Sequence, residues 1–156
     1  ERDASVFFST WWKLPAVARD SRVDWDAVIA LKNDVSRELE RLRAAGELGA
    51  PLEAAVDVYL DQAQHLRMAA LGDELRFVLI TSQARIRPGK ERPANAVAAE
   101  SVAKEGAWIS VAVGDSPKCA RCWHRRKDVG SDPKHPDICA RCVGNLAAPG
   151  ESRRYA

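Results

Sequence analysis

Between residues 24 and 45 the apolar positions Val28, Leu31, Val35, Leu39 and Leu42 recur at steps of three and four, which predicts one long amphipathic helix. Asp24 is placed to cap its start, and Gly46 to end it in a left-handed turn. Lys32, Asp34, Arg37, Glu38, Glu40, Arg41 and Arg43 interleave in sign on the other face, as charges paired in solvent do. After Gly46 and Gly49 the period changes to two: Leu52, Ala54, Val56, Val58 and Leu60 alternate with more polar residues, predicting a strand with one buried face. Gln62 to Leu71 reads as a shorter helix broken by Gly72, Phe77 to Ile86 as a buried strand, and Trp108 to Val113 as a further strand. Arg87 to Ala96, with Pro88, Gly89 and Pro93, reads as an exposed loop. The expected class is α+β: a long helix with a small sheet, followed by a cysteine module.

That module is the strongest chemical signal. Cys119, Cys122, Cys139 and Cys142 are the only cysteines and fall as C-x2-C-x16-C-x2-C, two matching Cys-Ala-Arg-Cys knuckles. Each pair aims two sulfurs at one point, and the intervening excursion is long enough to bring the pairs together around one tetrahedral zinc. Two disulfides are the alternative, and nothing else suggests the oxidising compartment they need. A catalytic zinc would need an open position, which four thiolates do not leave. His124 and His135 are possible substitute ligands. Four thiolates on a divalent ion leave a charge of minus two for amides and cations to offset, and Arg121 and Arg141 inside the knuckles could do this or could meet an anionic partner.

Composition limits the remaining classes. The 156 residues are 46% hydrophobic and 29% charged, an ordinary globular balance with room for one modest core. No apolar run approaches the roughly 20 residues that a bilayer span requires. The charged opening Glu1, Arg2, Asp3 is unlike a signal peptide, and the absence of an initial methionine suggests a piece of a longer chain. The net charge of +2 is unevenly spread: the segment from Lys118 onward carries nine Lys/Arg against four acids, while residues 1–117 are net acidic. Trp123 followed by Arg125, Arg126 and Lys127 is therefore a candidate nucleic-acid surface, with a solvated face as the plainer reading. Phe7, Phe8, Trp11 and Trp12 suggest either a stacking platform or a buried anchor.

Several runs carry a family resemblance. Cys119-Ala-Arg-Cys-Trp with Val129-Gly130, then Ile138-Cys-Ala-Arg-Cys-Val with Asn145-Leu146, then Gly150-Glu151 and Arg153, look like the C-terminus of bacterial isoleucyl-tRNA synthetases. Ser5-Val6-Phe7 with tryptophan following, the long helix, Leu52-Glu-Ala-Ala-Val56 and Asp73-Glu-Leu-Arg-Phe77 agree with the preceding region in order. The 87–106 loop matches nothing in that pattern, and tandem Trp11-Trp12 stands where one aromatic is expected.

The resemblance implies a cytoplasmic ligase that charges tRNA with isoleucine through an adenylate made from ATP. It also implies that this chain is the non-catalytic, tRNA-holding end, because the His-Ile-Gly-His and Lys-Met-Ser-Lys-Ser signatures are absent. Expected partners are the isoleucine-accepting tRNA and the remainder of the synthetase chain, with no membrane. The organisation that follows is an end of the anticodon-binding helical region or linker over 1–20, a small α+β domain over 21–114, and a zinc-binding tail over 115–156. A stand-alone zinc-ribbon module and the tail of a DNA-repair glycosylase, whose zinc finger shares the cysteine spacing, are the competing readings.

Overall fold

The computed structural model describes residues 5–14, 23–103, 106–146 and 149–155. Of the expected 1–20 linker, 1–4 and 15–20 lie outside the described residues. Helix α1 spans Trp25–Ala44. An Asp24 side-chain oxygen accepts from the Ala27 N–H at 3.0 Å, supplying one of the acceptors that a helix N-terminus lacks. At the other end Gly46 adopts φ +73°, and the N–H groups of Gly46 and Glu47 reach back to the carbonyls of Arg43 and Leu42, closing a Schellman turn.

The apolar stripe of α1 is buried as expected, but Asp34 and Glu38 correct the reading of its charged face. They are only 4% and 9% exposed. Glu38 accepts from Nε and Nη2 of Arg41, each at 2.8 Å; Asp34 pairs with Arg37 and accepts the Ser101 N–H at 2.9 Å, tying a distant loop to the helix. Periodicity sees only that a residue is charged, not that a loop returns to cover it.

Four strands form one sheet in the order β2-β1-β4-β3: β1 is Ala54–Leu60, β2 Gln83–Pro88, β3 Val97–Ala98 and β4 Ala107–Val113. β1 pairs in parallel with β2 and antiparallel with β4, so the two longest strands lie in the centre. The parallel pairing needs a crossover, which α2 (Gln62–Met68), a 3-10 stretch and α3 (Leu75–Leu79) supply. Val56, Val58, Ala107 and Ile109 on one sheet face join Val28, Leu31, Val35, Leu75 and Leu79 in a single core.

The strand expected over Phe77 to Ile86 is corrected. Residues 75–79 are helical, Ile80 turns left-handed at φ 59°, and only from Gln83 does the chain extend. A short apolar run fits a buried helix turn as well as a strand, and here Leu75 and Leu79, four apart, are the buried pair. The 87–106 loop also holds a 3-10 turn over Gly89–Glu91 and the short β3.

The zinc centre and its surroundings

The first knuckle is a tight hairpin loop. Cys119 donates its N–H to the His124 carbonyl at 2.9 Å, Trp123 donates to Cys119 at 3.0 Å, and Lys118 bridges to Arg125. Trp123 holds φ 65°, a left-handed conformation uncommon outside glycine, as the chain turns back. The second knuckle leads into α4, Ala140–Gly144, where Cys139 stands at the N-cap and Cys142 in the first turn. Ala120 N–H to Asp137 carbonyl, 2.9 Å, and Cys139 N–H to Cys119 Sγ, 3.3 Å, lock the two together.

All four sulfurs lie within 4.8 Å of one another. Metal–sulfur bonds of 2.3 Å in a tetrahedron require sulfurs about 3.8 Å apart. Cys119 and Cys142 are separated by 3.7 Å, and Cys122 and Cys139 by 3.8 Å. The cysteines are free, and these separations are far beyond the roughly 2.05 Å of a disulfide. Cys119, Cys139 and Cys142 are fully buried beneath Val129 and Ile138. A soft, closed, four-sulfur site of this size fits one structural zinc.

Burial pushes the Cys122, Cys139 and Cys142 thiols above their ordinary value. Cys119 is buried too, but the backbone N–H groups of Cys122, Cys139 and Arg121 outweigh that penalty and bring its thiol down to about 6. Cys122, Cys139 and Cys142 would give up their protons on binding a zinc ion, which would offset the burial of the thiolates. Arg121 eases the burial penalty at Cys142. His124 is not among the clustered ligands. Its ring sits 3.2 Å from the Cys122 carbonyl and edge-on to Phe77, and burial, then Arg76, hold its pKa below the usual value. His135 is exposed.

The candidate RNA residues divide. Trp123 is 61% exposed with Lys118 Nζ 6.0 Å from its ring centre, and Lys127 is exposed. Arg125 and Arg126 are half-buried. Arg125 donates its backbone N–H to Ser82 Oγ at 2.6 Å and its guanidinium to the Ser116 carbonyl at 3.3 Å, with Glu53 at 3.6 Å. Arg126 lies between Asp128 at 3.7 Å and Asp73 at 4.0 Å. These two arginines dock the zinc module on the sheet unit.

Sequence reasoning missed that joint. Phe77 lies against the guanidiniums of Arg76 and Arg153, each 3.9 Å from its ring centre, with Arg141 at 5.0 Å. Glu151 pairs with Arg141 at 2.7 Å and Arg153 at 3.0 Å; although burial opposes it, hydrogen bonds from Arg153, Arg141 and Asn145 lower its pKa to about 2. Beyond it the N–H groups of Arg154 and Tyr155 donate to Glu74, and Tyr155 stands edge-on to Trp25 at 6.4 Å. The Gly-Glu-x-Arg run was the available signal, though it carried no partner.

Residues 116–144 match a family described as a zinc finger found in FPG and IleRS. The matched segment is the module that contains all four cysteines. The whole chain is similar to isoleucine--tRNA ligases: it is 42% identical to that of Nitrosococcus oceani and 46% identical to that of Pseudomonas putida GB-1, each over the full chain. The Azotobacter vinelandii ligase is likewise 46% identical. The chain spans about 17% of the length of these relatives. Similarity that runs through the helix and sheet as well as the finger favours the ligase resemblance over the glycosylase tail and the stand-alone module.

Proposed function

We propose that this chain is the zinc-bearing, tRNA-holding portion of a cytoplasmic isoleucine–tRNA ligase, and that ATP and isoleucine are handled by the rest of that enzyme. The observation that carries this is similarity to such ligases along the whole of this chain, joined to a cluster of four cysteine sulfurs that would fill every position of a tetrahedral zinc. A closed site orders a fold; it does not activate water or polarise a substrate. The organisation proposed is a linker over 1–20, an α+β unit over 21–114 and a zinc-binding tail over 115–156; a main core within the second and a cysteine cluster within the third support the last two. Among the described residues no helix is long and apolar enough to cross a membrane.

On this reading Trp123 and Lys127 meet tRNA directly, one by stacking and one at phosphate, while Arg125 and Arg126 set the angle of the knuckle and add to its positive field. Deleting the residues from Lys118 onward in the complete ligase tests it. Charging of tRNA should collapse while ATP–pyrophosphate exchange with isoleucine persists. Equal loss of both would mean that the tail supports the catalytic fold instead.

A further inference from the structure

The helices pack on the sheet face that carries Val56, Val58 and Ile109; on the opposite face Tyr59 is buried and the other side chains are half-buried or exposed. In register across the four strands, that second face carries Arg85 on β2, Asp57 on β1 and Ser110 on β4 in one row, then Arg87, Tyr59, Trp108 and Ala98 in the next. Trp108 is half-buried, and its neighbour on β3 is the exposed Ala98, so only a methyl group flanks the indole there. Arg92 lies over the indole at 4.0 Å.

A cleft of about 660 Å3 opens beside this stack, bounded by Asp61, Gly89, Lys90, Arg92, Gly106 and Trp108. Its two glycines keep it open. A Cβ on Gly89 would sit 3.4 Å from the Trp108 ring, and one on Gly106, already at φ +89°, would strike the Asp61 carboxylate at 2.4 Å. A second hollow of about 300 Å3, lined by Arg85, Arg126 and Lys127 together with Asp73 and Asp128, joins this face to the zinc module.

We propose that this second sheet face is a further RNA-contact surface, in which the cleft at Trp108 and Arg92 takes one unpaired nucleotide of a strand that continues past Arg85 to Lys127. The Arg92 guanidinium held over the indole offers a surface on which a base can stack, Lys90 lines the same cleft and supplies a cation for a backbone phosphate, and Asp61 can accept from a base amino group. A polynucleotide fits better than a free nucleotide, because the cationic side chains form a line from Arg92 through Arg87 and Arg85 to Lys127 and not a single pocket. Asp57 holds Arg85 at 2.7 Å and Arg87 at 3.4 Å, and so fixes their spacing. The inference rests on the tRNA-holding reading and adds a surface that the zinc finger does not include.

The test is titration of the zinc-loaded, isotopically labelled chain with an oligouridylate and with an abasic oligomer of equal length. The Trp108 indole resonance and the amides of 85–92 should shift with the oligouridylate and much less with the abasic strand. Trp108→Leu should weaken oligouridylate binding about tenfold and Trp108→Phe should largely restore it, with zinc content and helical signal unchanged in both. Arg92→Glu should weaken it severalfold and lower its salt dependence. Shifts confined to Trp123 and Lys127, with the Trp108 and Arg92 variants binding as the parent does, would overturn the second surface and leave the tRNA-holding role standing. No binding at either surface would remove both.

Discussion

His124 stands edge-on to Phe77, ring centroids 6.0 Å apart and planes at 75°, so that a residue two positions after a zinc ligand packs on the helix that feeds β2. The metal centre is thereby coupled to the core through aromatic contact as well as through the backbone. Phe77→Ala should lower stability by about 1–3 kcal/mol, from lost burial and the lost aromatic pair. Zinc stoichiometry should stay at one. Thermal unfolding with metal analysis checks it; zinc loss in this variant would show that the ring supports the site directly.

Cys139→Ser removes a fully buried member of the four-cysteine cluster and leaves three sulfurs. The 115–146 region should become protease-sensitive, while α1, which has its own buried stripe, keeps its helical signal. Circular dichroism and limited proteolysis of the purified variant decide the point. A collapse of α1 would show that the zinc module and the core unfold as one unit.

Glu151 offers a pH test. Its pKa is held near 2, below the ordinary carboxylate value, so its contribution is present above that ordinary value and is lost as pH falls through about 2. The neutral Glu151→Gln variant should therefore be less stable than the parent at pH 7. The gap should narrow as the parent's own carboxylate is protonated. Amide exchange at Asn145 and Glu151, compared between the two proteins down the acid limb, measures it.

Lys127→Ala should weaken tRNA binding and cut the log-log salt slope by about 0.7–0.9, as expected for one lost phosphate contact. Trp123→Ala should cost about 1–3 kcal/mol with the slope kept, because stacking releases no counterions. Arg126→Ala should instead loosen the module against Asp73, giving a smaller slope change than Lys127→Ala. Binding titrations at several salt concentrations distinguish the three.

The cysteine cluster and α1 are plain in the sequence for a shared reason: each rests on short-range spacing that chain geometry enforces. Paired cysteines two apart converge whatever surrounds them, and a stripe at 3.6-residue period buries itself against any apolar face. The surroundings of Asp34, Phe77 and Arg126 are not legible in the sequence because they come from residues far along the chain. Ser101 covers Asp34, Arg153 covers Phe77, and Asp73 faces Arg126. The two-residue β3 is not legible either, since Val97 and Ala98 are exposed and the strand is defined by its pairing with β4.

Ser82 is fully buried at the meeting point of three segments: its hydroxyl donates to the Leu52 carbonyl and accepts the Arg125 N–H. Both Leu52 and Ser82 precede the cysteines in the chain. During synthesis the socket for the zinc module can thus be finished before the module itself has left the ribosome, and metal capture becomes a late closing step on a preformed seat. A cell short of zinc would then accumulate chains with a settled helix and sheet and an undocked tail, to be repaired by metal alone without refolding the rest.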